Sequence, residues 1–314
     1  MEELPSPLLI AGSGAMACLF AARLSAAGVP VAILANWKAG LEAIRRNGVH
    51  LVEADGSERA FRVPVIDAQA SGERLDIQSR YALVLVKSWQ TGRTARQLAG
   101  RLAEDGLALT LQNGLGNREA LAEILGEQRV ALGVTTAGAT MLAPGRVRPA
   151  GKGLVTLSVG PHLEPLANLL RSAGFEVEHA PDAIALLWGK LVINAAINPL
   201  TALLGVPNGE LLERETARLL LAAVACEAAA VASAQGIGLP YPDPVQAAEN
   251  VARGTAANYS SMLQDVRRGT PTEVDAICGA IVAAGQRAGV PTPVNRTLWQ
   301  LVKALEIRDQ AKDT

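Results

Sequence analysis

Lys190, Asn194 and Asn198 follow one another at intervals of four within residues 182–205, DAIALLWGKLVINAAINPLTALLG. In a helix that spacing stacks the three side chains on one face, one turn apart. Leu186, Leu187, Trp188, Leu191, Val192, Ile193 and Ile197 surround them, so the helix is apolar nearly all round and belongs in a core. A buried amine needs a partner, a ligand or a shifted pKa. With its pKa lowered toward neutrality, an amine stabilises negative charge on an oxygen and then protonates it. The competing reading is a lysine that snorkels to the surface beside two solvated asparagines. Lysine is scarce, six of 29 basic residues, so one set among apolar residues carries more information than usual.

A second group lies near the start. Pro7 to Ala11 reads as a short strand, Gly12-Ser13-Gly14-Ala15-Met16-Ala17 as a turn, and an Ala/Leu-rich helix runs to about Ala27 before a strand at Val31–Leu34. The turn fits G-x-G-x-x-A between strand and helix. Gly12 allows the tight bend, Gly14 lets a pyrophosphate approach the backbone, and Ala17 lets the helix pack on the sheet. The helix start then offers N–H groups and a positive dipole end to phosphates. The alternative is an ordinary glycine turn. An acidic residue after the second strand would read the ribose hydroxyl of NAD, and a basic one the 2′-phosphate of NADP. This strand ends Ala35-Asn36-Trp37-Lys38, with no carboxylate. Asn36 suits either ribose form and Lys38 suits the phosphate, so the balance favours NADP. A merely solvated Lys38 is the bland alternative.

The elements that must position these residues divide the chain in two, near Pro181. Residues 1–181 read as an α/β domain of the Rossmann type and 182–314 as an all-helical domain. In the first, 48–52 and 60–65 read as a hairpin, and Tyr81–Val86 and Leu107–Leu111 as parallel strands covered on both faces. Ligands sit outside the carboxyl ends of such strands, which brings in Lys87 after one and Asn113 after the other. Short antiparallel strands follow near 146–149 and 154–159. In the second, Ser260 and Ser261 suit a helix start. Thr270-Pro271-Thr272-Glu273 has the pattern of a capping box opening a helix to about Ala288.

Composition narrows the functions. A length of 314 residues suits two domains, and a net charge of −1 offers no general field for nucleic acid or an anionic membrane. Cys18, Cys226 and Cys278 sit far apart in apolar contexts and read as reduced core residues of a cytoplasmic protein. The three histidines have no metal-ligand spacing, so no metal is expected. The apolar stretches are interrupted by Lys190, Asn194, Asn198 or Glu227, which argues against a membrane span. An alanine-rich helix at 217–234 packs either inside its domain or against a second copy, leaving monomer and homodimer both open.

Taken in order, several motifs resemble the ketopantoate reductase family along nearly the whole chain. They are GSGAMA at 12–17, VKSWQT at 86–91, LQNGLGN at 111–117, GVTTAGAT at 133–140, WGKLVINAAINPLTAL at 188–203, PNGEL at 207–211 and SSMLQDVRRGTPTEVDAICG at 260–279. The resemblance implies a Rossmann-type domain, a helical domain and NADPH-dependent reduction of 2-dehydropantoate (ketopantoate) to (R)-pantoate for pantothenate synthesis. It implies Lys190 as proton donor and Glu273 as a carboxylate beside the cofactor and the reacting carbon. It implies substrate contacts at Asn194, Asn198, Asn208 and Ser261, and contacts to cofactor and substrate at Asn113. Lys87 and Ala139 fall at cofactor positions. The chain departs from the family at Asn36, where members often carry an arginine that holds the 2′-phosphate, and at Ala137, where many carry histidine. The Lys-x-x-x-Asn stripe is also similar to that of β-hydroxyacid dehydrogenases, so a different 2-oxo or hydroxy acid on the same scaffold is the alternative.

Overall fold

The structure is a computed structural model that describes residues 6–70, 78–150 and 153–310. It resolves into two units. One comprises the described residues of Met1–Gln112 and Asn117–Ala183, the other Asn113–Gly116 with those of Ile184–Thr314.

The first unit is built on a doubly wound sheet. Its strands and helices run β1 (Leu8–Ala11), α1 (Ala15–Ala26), β2 (Val31–Ala35), α2 (Lys38–Asn47), β3 (Val49–Val52), β4 (Glu58–Phe61), β5 (Val65–Asp67), β6 (Ser79–Val84) and α3 (Thr91–Ala99). Then come β7 (Leu102–Thr110), α4 (Asn117–Leu125), β8 (Val130–Thr135), β9 (Gly138–Ala143), β10 (Arg146–Ala150), β11 (Leu154–Ser158), α5 (Glu164–Ser172) and β12 (Glu176–Ala180). Strands β5-β2-β1-β6-β7-β8 are parallel neighbours in that order, so the winding reverses beside β1. A ligand crevice belongs at such a reversal, outside the carboxyl ends. β1 and β2 are buried along their whole length, which explains their unbroken apolar runs.

β11 adds antiparallel to β8, and β12 parallel to β11. A second sheet, β4-β3-β10-β9, packs on α1. That helix therefore has structure on two sides and buries seven of its twelve residues, among them Ala17, Ala21 and Ala22. The hairpin expected at 48–52 and 60–65 forms between β3 and β4 but stops at Phe61. Pro64 lacks an N–H, and its carbonyl instead accepts from Ile33 at 2.9 Å as the chain crosses into β5. The strands near 146–149 and 154–159 are antiparallel on one side only: β10 to β9 and β11 to β8, while β10 runs parallel to β3 and β11 parallel to β12.

The second unit is helical: α6 (Ala183–Leu204), α7 (Glu210–Glu213), α8 (Glu215–Ala234), α9 (Pro244–Gly254), α10 (Ser261–Arg267), α11 (Ala280–Ala288) and α12 (Pro293–Gln310). One π-type turn, Asp275–Gly279, runs into α11. Trp188, Leu191, Val192 and Ile197 of α6 share a core with Leu221, Val224 and Ala228 of α8. Both helices are long and apolar enough to cross a membrane by length and composition, but most of α6 is buried. α8 keeps an outer face that exposes Leu219, Leu220 and Cys226. The expectation that all three cysteines are core residues therefore fails at Cys226. Alanine on every side of α8 hides from the sequence which face turns outward.

Candidate active site

The glycine turn joins β1 to α1 in the first unit. Gly12 has φ of 122°, and a Cβ there would lie 3.2 Å from the backbone carbonyl of Leu85. Both conditions demand glycine. Gly14 differs: its φ of −76° suits any residue, and a Cβ would meet nothing within 4 Å. It is exposed, and Ala15 and Met16 are half-buried, whereas Ser13 and Ala17 are buried. The first turn of α1 contains no acidic residue and no side-chain cap, so its N–H groups face an open approach. A cradle with room above Gly14 and unspent donors at a helix start fits a pyrophosphate.

Around that crevice, Lys87 follows β6 and is half-buried. A polar network lies beneath this edge. The Gln112 amide donates to the Val86 carbonyl at 2.9 Å and to the Thr91 hydroxyl at 2.8 Å, and Thr91 donates to Asn117 at 2.9 Å. These bonds join the ends of β6 and β7 to the starts of α3 and α4. Ala139 lies in β9, opposite Pro149. At the end of β2, Asn36 is paired with Gln97 of α3, while Lys38 is exposed as the first residue of α2.

In the second unit, Lys190, Asn194 and Asn198 form the expected ladder on α6. Lys190 is partly buried. Burial of its amine pulls the pKa down to about 8, and the carboxylate of Glu273 limits the drop. Glu273 is 6% exposed and accepts from the Asn113 amide at 3.3 Å. Asn113 belongs to this unit because its turn is tied there: Leu115 N–H donates to the Ala276 carbonyl at 2.9 Å. Gly114, with φ of 85°, lets the turn lie against Ala276, where any Cβ would collide. Lys190, Glu273 and Asn113 thus converge from three separate stretches of chain. The amides of Asn194 and Asn198 have no hydrogen-bond partner among the described residues, although Asn198 is only 7% exposed.

The capping box at 270–273 does not form. The Thr270 hydroxyl donates to the Asp265 carbonyl at 3.2 Å, and residues 271–273 precede the π-type turn outside any regular helix. Thr272 bonds Glu306 through both its N–H and its hydroxyl, at 2.8 and 2.7 Å. The Glu273 carboxylate is thereby released from helix capping and serves Asn113 and Lys190. Local spacing suggested the box; the bond of Thr270 back to Asp265 and the tertiary bonds of Thr272 to Glu306 overrule it.

Asn208 is buried. Its amide N–H donates to Thr255 at 2.8 Å, and its Oδ1 has no partner among the described residues. Ser260 caps α10 by accepting from Leu263 N–H at 3.1 Å, and the Thr201 hydroxyl donates to it at 2.7 Å. Ser261 is therefore the first residue of α10 and is exposed. Sequence reasoning missed two supports. Tyr241 donates its hydroxyl to the Gly189 carbonyl at 2.8 Å, and Pro240 occupies the space where a Gly189 Cβ would be. Together they grip the residue before Lys190. Pro199 inside α6 removes one backbone donor directly after Asn198.

A doubly wound unit with this turn at its switch point, followed by a helical unit with a desolvated lysine amine and a buried carboxylate, is an oxidoreductase architecture of the dinucleotide-binding class. The sequence profile described as ketopantoate reductase PanE/ApbA matches residues 8–162, and that of its C-terminal part matches 182–306. The chain belongs to the ketopantoate reductase family. A 2-dehydropantoate 2-reductase of Archaeoglobus fulgidus is 37% identical over 302 residues, covering 95% of this chain and 97% of the relative. Among solved structures, a PanE/ApbA family ketopantoate reductase from Ralstonia eutropha JMP134 has a TM-score of 0.86 at 32% identity, covering 96% of this chain and 100% of that one. D-mandelate dehydrogenase, solved with NADH and anilino(oxo)acetate, has a TM-score of 0.89 at 26% identity, covering 97% and 99%.

Proposed function

We propose that this chain reduces 2-dehydropantoate to (R)-pantoate with NADPH, in pantothenate synthesis. The observation that carries the reading is the Lys190–Glu273 pair, its amine desolvated and its carboxylate buried, on a ladder with two asparagine amides that have no hydrogen-bond partner among the described residues. The names of its relatives support the same substrate. In this reading residues 1–181 hold the dinucleotide, through the 12–17 turn with Asn36, Lys38, Lys87 and Ala139. Residues 182–314 hold the substrate, through Asn194, Asn198, Asn208 and Ser261. Asn113 and Glu273 serve both ligands.

When bound, the nicotinamide supplies the hydride that goes to the ketone carbon. Negative charge develops on the ketone oxygen, and the Lys190 ammonium stabilises it and donates the proton. A pKa of about 8 keeps the amine mostly protonated at neutral pH yet ready to release. Glu273 keeps the amine charged and orients it, and Asn113 braces the carboxylate. Asn194 and Asn198 hold the substrate hydroxyl and carboxylate with donors that no other described residue occupies. The reading takes a free small-molecule acid as the only partner, in the cytoplasm, without nucleic acid or membrane, on a monomer or homodimer.

The test is the initial rate of NADPH oxidation with ketopantoate, repeated with NADH. A saturable rate with kcat/KM of ~10⁴ M⁻¹s⁻¹ or more, the ordinary enzyme range, is expected. No turnover from a protein that still binds NADPH would reject the substrate. The resemblance to D-mandelate dehydrogenase supports a second reading, in which another 2-oxo acid is reduced on the same residues. A panel of branched and aromatic 2-oxo acids separates the two.

A further inference from the structure

The end of β2 carries a feature that its sequence does not announce. The Gln97 side chain reaches from α3 and donates to Asn36 Oδ1 at 3.0 Å, while Asn36 Nδ2 donates back to Gln97 Oε1 at 3.5 Å. Gln97 also lies 3.5 Å from the Ala68 carbonyl, just beyond β5. Asn36 is therefore held in one orientation, with one N–H and one lone pair left for a ligand. A hydroxyl, which donates and accepts, matches both. A phosphate oxygen matches only the N–H. The neighbouring strand ends in Asp67, whose partner on the next strand is Ala35, and a carboxylate there opposes a dianion. The cation nearest in sequence is the exposed Lys38.

We propose that Gln97 is a positioning residue that holds Asn36 as a reader of ribose hydroxyls, so that the site accepts the unphosphorylated dinucleotide alongside the phosphorylated one. This rests on the reading that the 12–17 turn binds a nicotinamide dinucleotide. The two forms are held by different groups: the hydroxyl by the Asn36–Gln97 pair and the phosphate by Lys38. An exposed cation contributes little, so preference for the phosphate form stays below about tenfold.

Calorimetry on the full chain with ADP-ribose and with its 2′-phosphate tests this without any turnover. Gln97→Leu is expected to weaken ADP-ribose about three- to tenfold, the net worth of a neutral hydrogen bond, and to leave the phosphate form within about twofold. Lys38→Ala reverses the selectivity. Gln97→Met removes the same donor and acceptor at nearly constant size and without a charge, with the same selective loss expected; it carries the test if the leucine variant does not fold. Equal losses for both ligands in the Gln97 variants, or no loss for either, would overturn the proposal, as would a wild-type preference for the phosphate form above about a hundredfold, which is near 3 kcal/mol. A wild type that binds neither ligand takes the dinucleotide reading down as well. Binding of both without selective effects takes down only the role of Gln97.

Discussion

The turn after β1 and the ladder on α6 solve opposite problems. At the turn the functional atoms are backbone N–H groups, and the side chains matter by being absent: Gly12 because nothing else fits, Gly14 because the space above it is open. On α6 the backbone is spent on the helix, and function falls to three polar side chains in an apolar wall. The first region gains from rigidity, since its geometry is the site. The second gains from electrostatics, since burial shifts the lysine and Glu273 limits the shift. The contrast teaches that substitutions at the turn should register as changes in stability or cofactor affinity. Substitutions on the ladder should register in turnover, with the fold left intact.

The largest expected effect tests the ladder directly. Lys190→Ala should lower kcat by ~10²-fold or more, the usual range for losing a positioned acid, with the melting temperature near wild type. A fall of less than about threefold in a folded variant would break the contrast, because Lys190 would then be packing rather than chemistry. Asn194→Ala and Asn198→Ala come next. Their amides have no partners to lose among the described residues, so stability should hold while KM for the acid rises about three- to tenfold. Asn208→Ala should behave differently. Its bond to Thr255 makes it part of the scaffold, and denaturant unfolding should report a loss of about 1 kcal/mol.

The two glycines sharpen the other half. Gly12→Ala must place a Cβ at positive φ against the Leu85 backbone, and should destabilise the unit by roughly 1–3 kcal/mol. Gly14→Ala has ordinary φ and empty space, so its stability should stay within about 0.5 kcal/mol of wild type. Only its affinity for the nicotinamide dinucleotide should fall, because the methyl group would stand where the pyrophosphate approaches. Equal melting curves with unchanged affinity for Gly14→Ala would remove the turn from cofactor binding.

Both regions were legible in the sequence to the extent that they are local. A strand, a glycine turn and a helix within about thirty residues, or three polar residues at a spacing of four, declare themselves through backbone periodicity alone. What escaped depends on where an element ends, on which face turns outward, or on partners distant in sequence. Glu273 read as half of a capping box because Thr270 stands three residues before it; the threonine's actual acceptor, Asp265, becomes available only once α10 has ended in the right place. Cys226 read as buried because α8 is alanine-rich on every side. The Asn36–Gln97 pair spans 61 residues, and β9 needed β10 as a partner before it could be seen as a strand. Asn113 follows a strand of the sheet in sequence, yet its turn is fastened to Ala276.

Glu273 provides the smallest effect and the finest test of the electrostatic half of the contrast. Burial lowers the Lys190 pKa to about 8, and the Glu273 carboxylate opposes that shift. The protonated amine is the required form, so kcat should fall as pH rises through about 8. Glu273→Gln removes the opposing charge but keeps the side chain's size and an acceptor for the Asn113 amide. The amine then loses its proton more readily, and the alkaline limb of the kcat profile should move to lower pH. At pH 6, where Lys190 is protonated in both proteins, the rates should differ far less than at pH 8. A limb that stays in place while kcat drops at every pH would assign Glu273 to orienting the substrate rather than to holding the lysine's charge. If neither the limb nor the rate changed, Glu273 would be structural, and the ladder's chemistry would reside in Lys190 and its two asparagines alone.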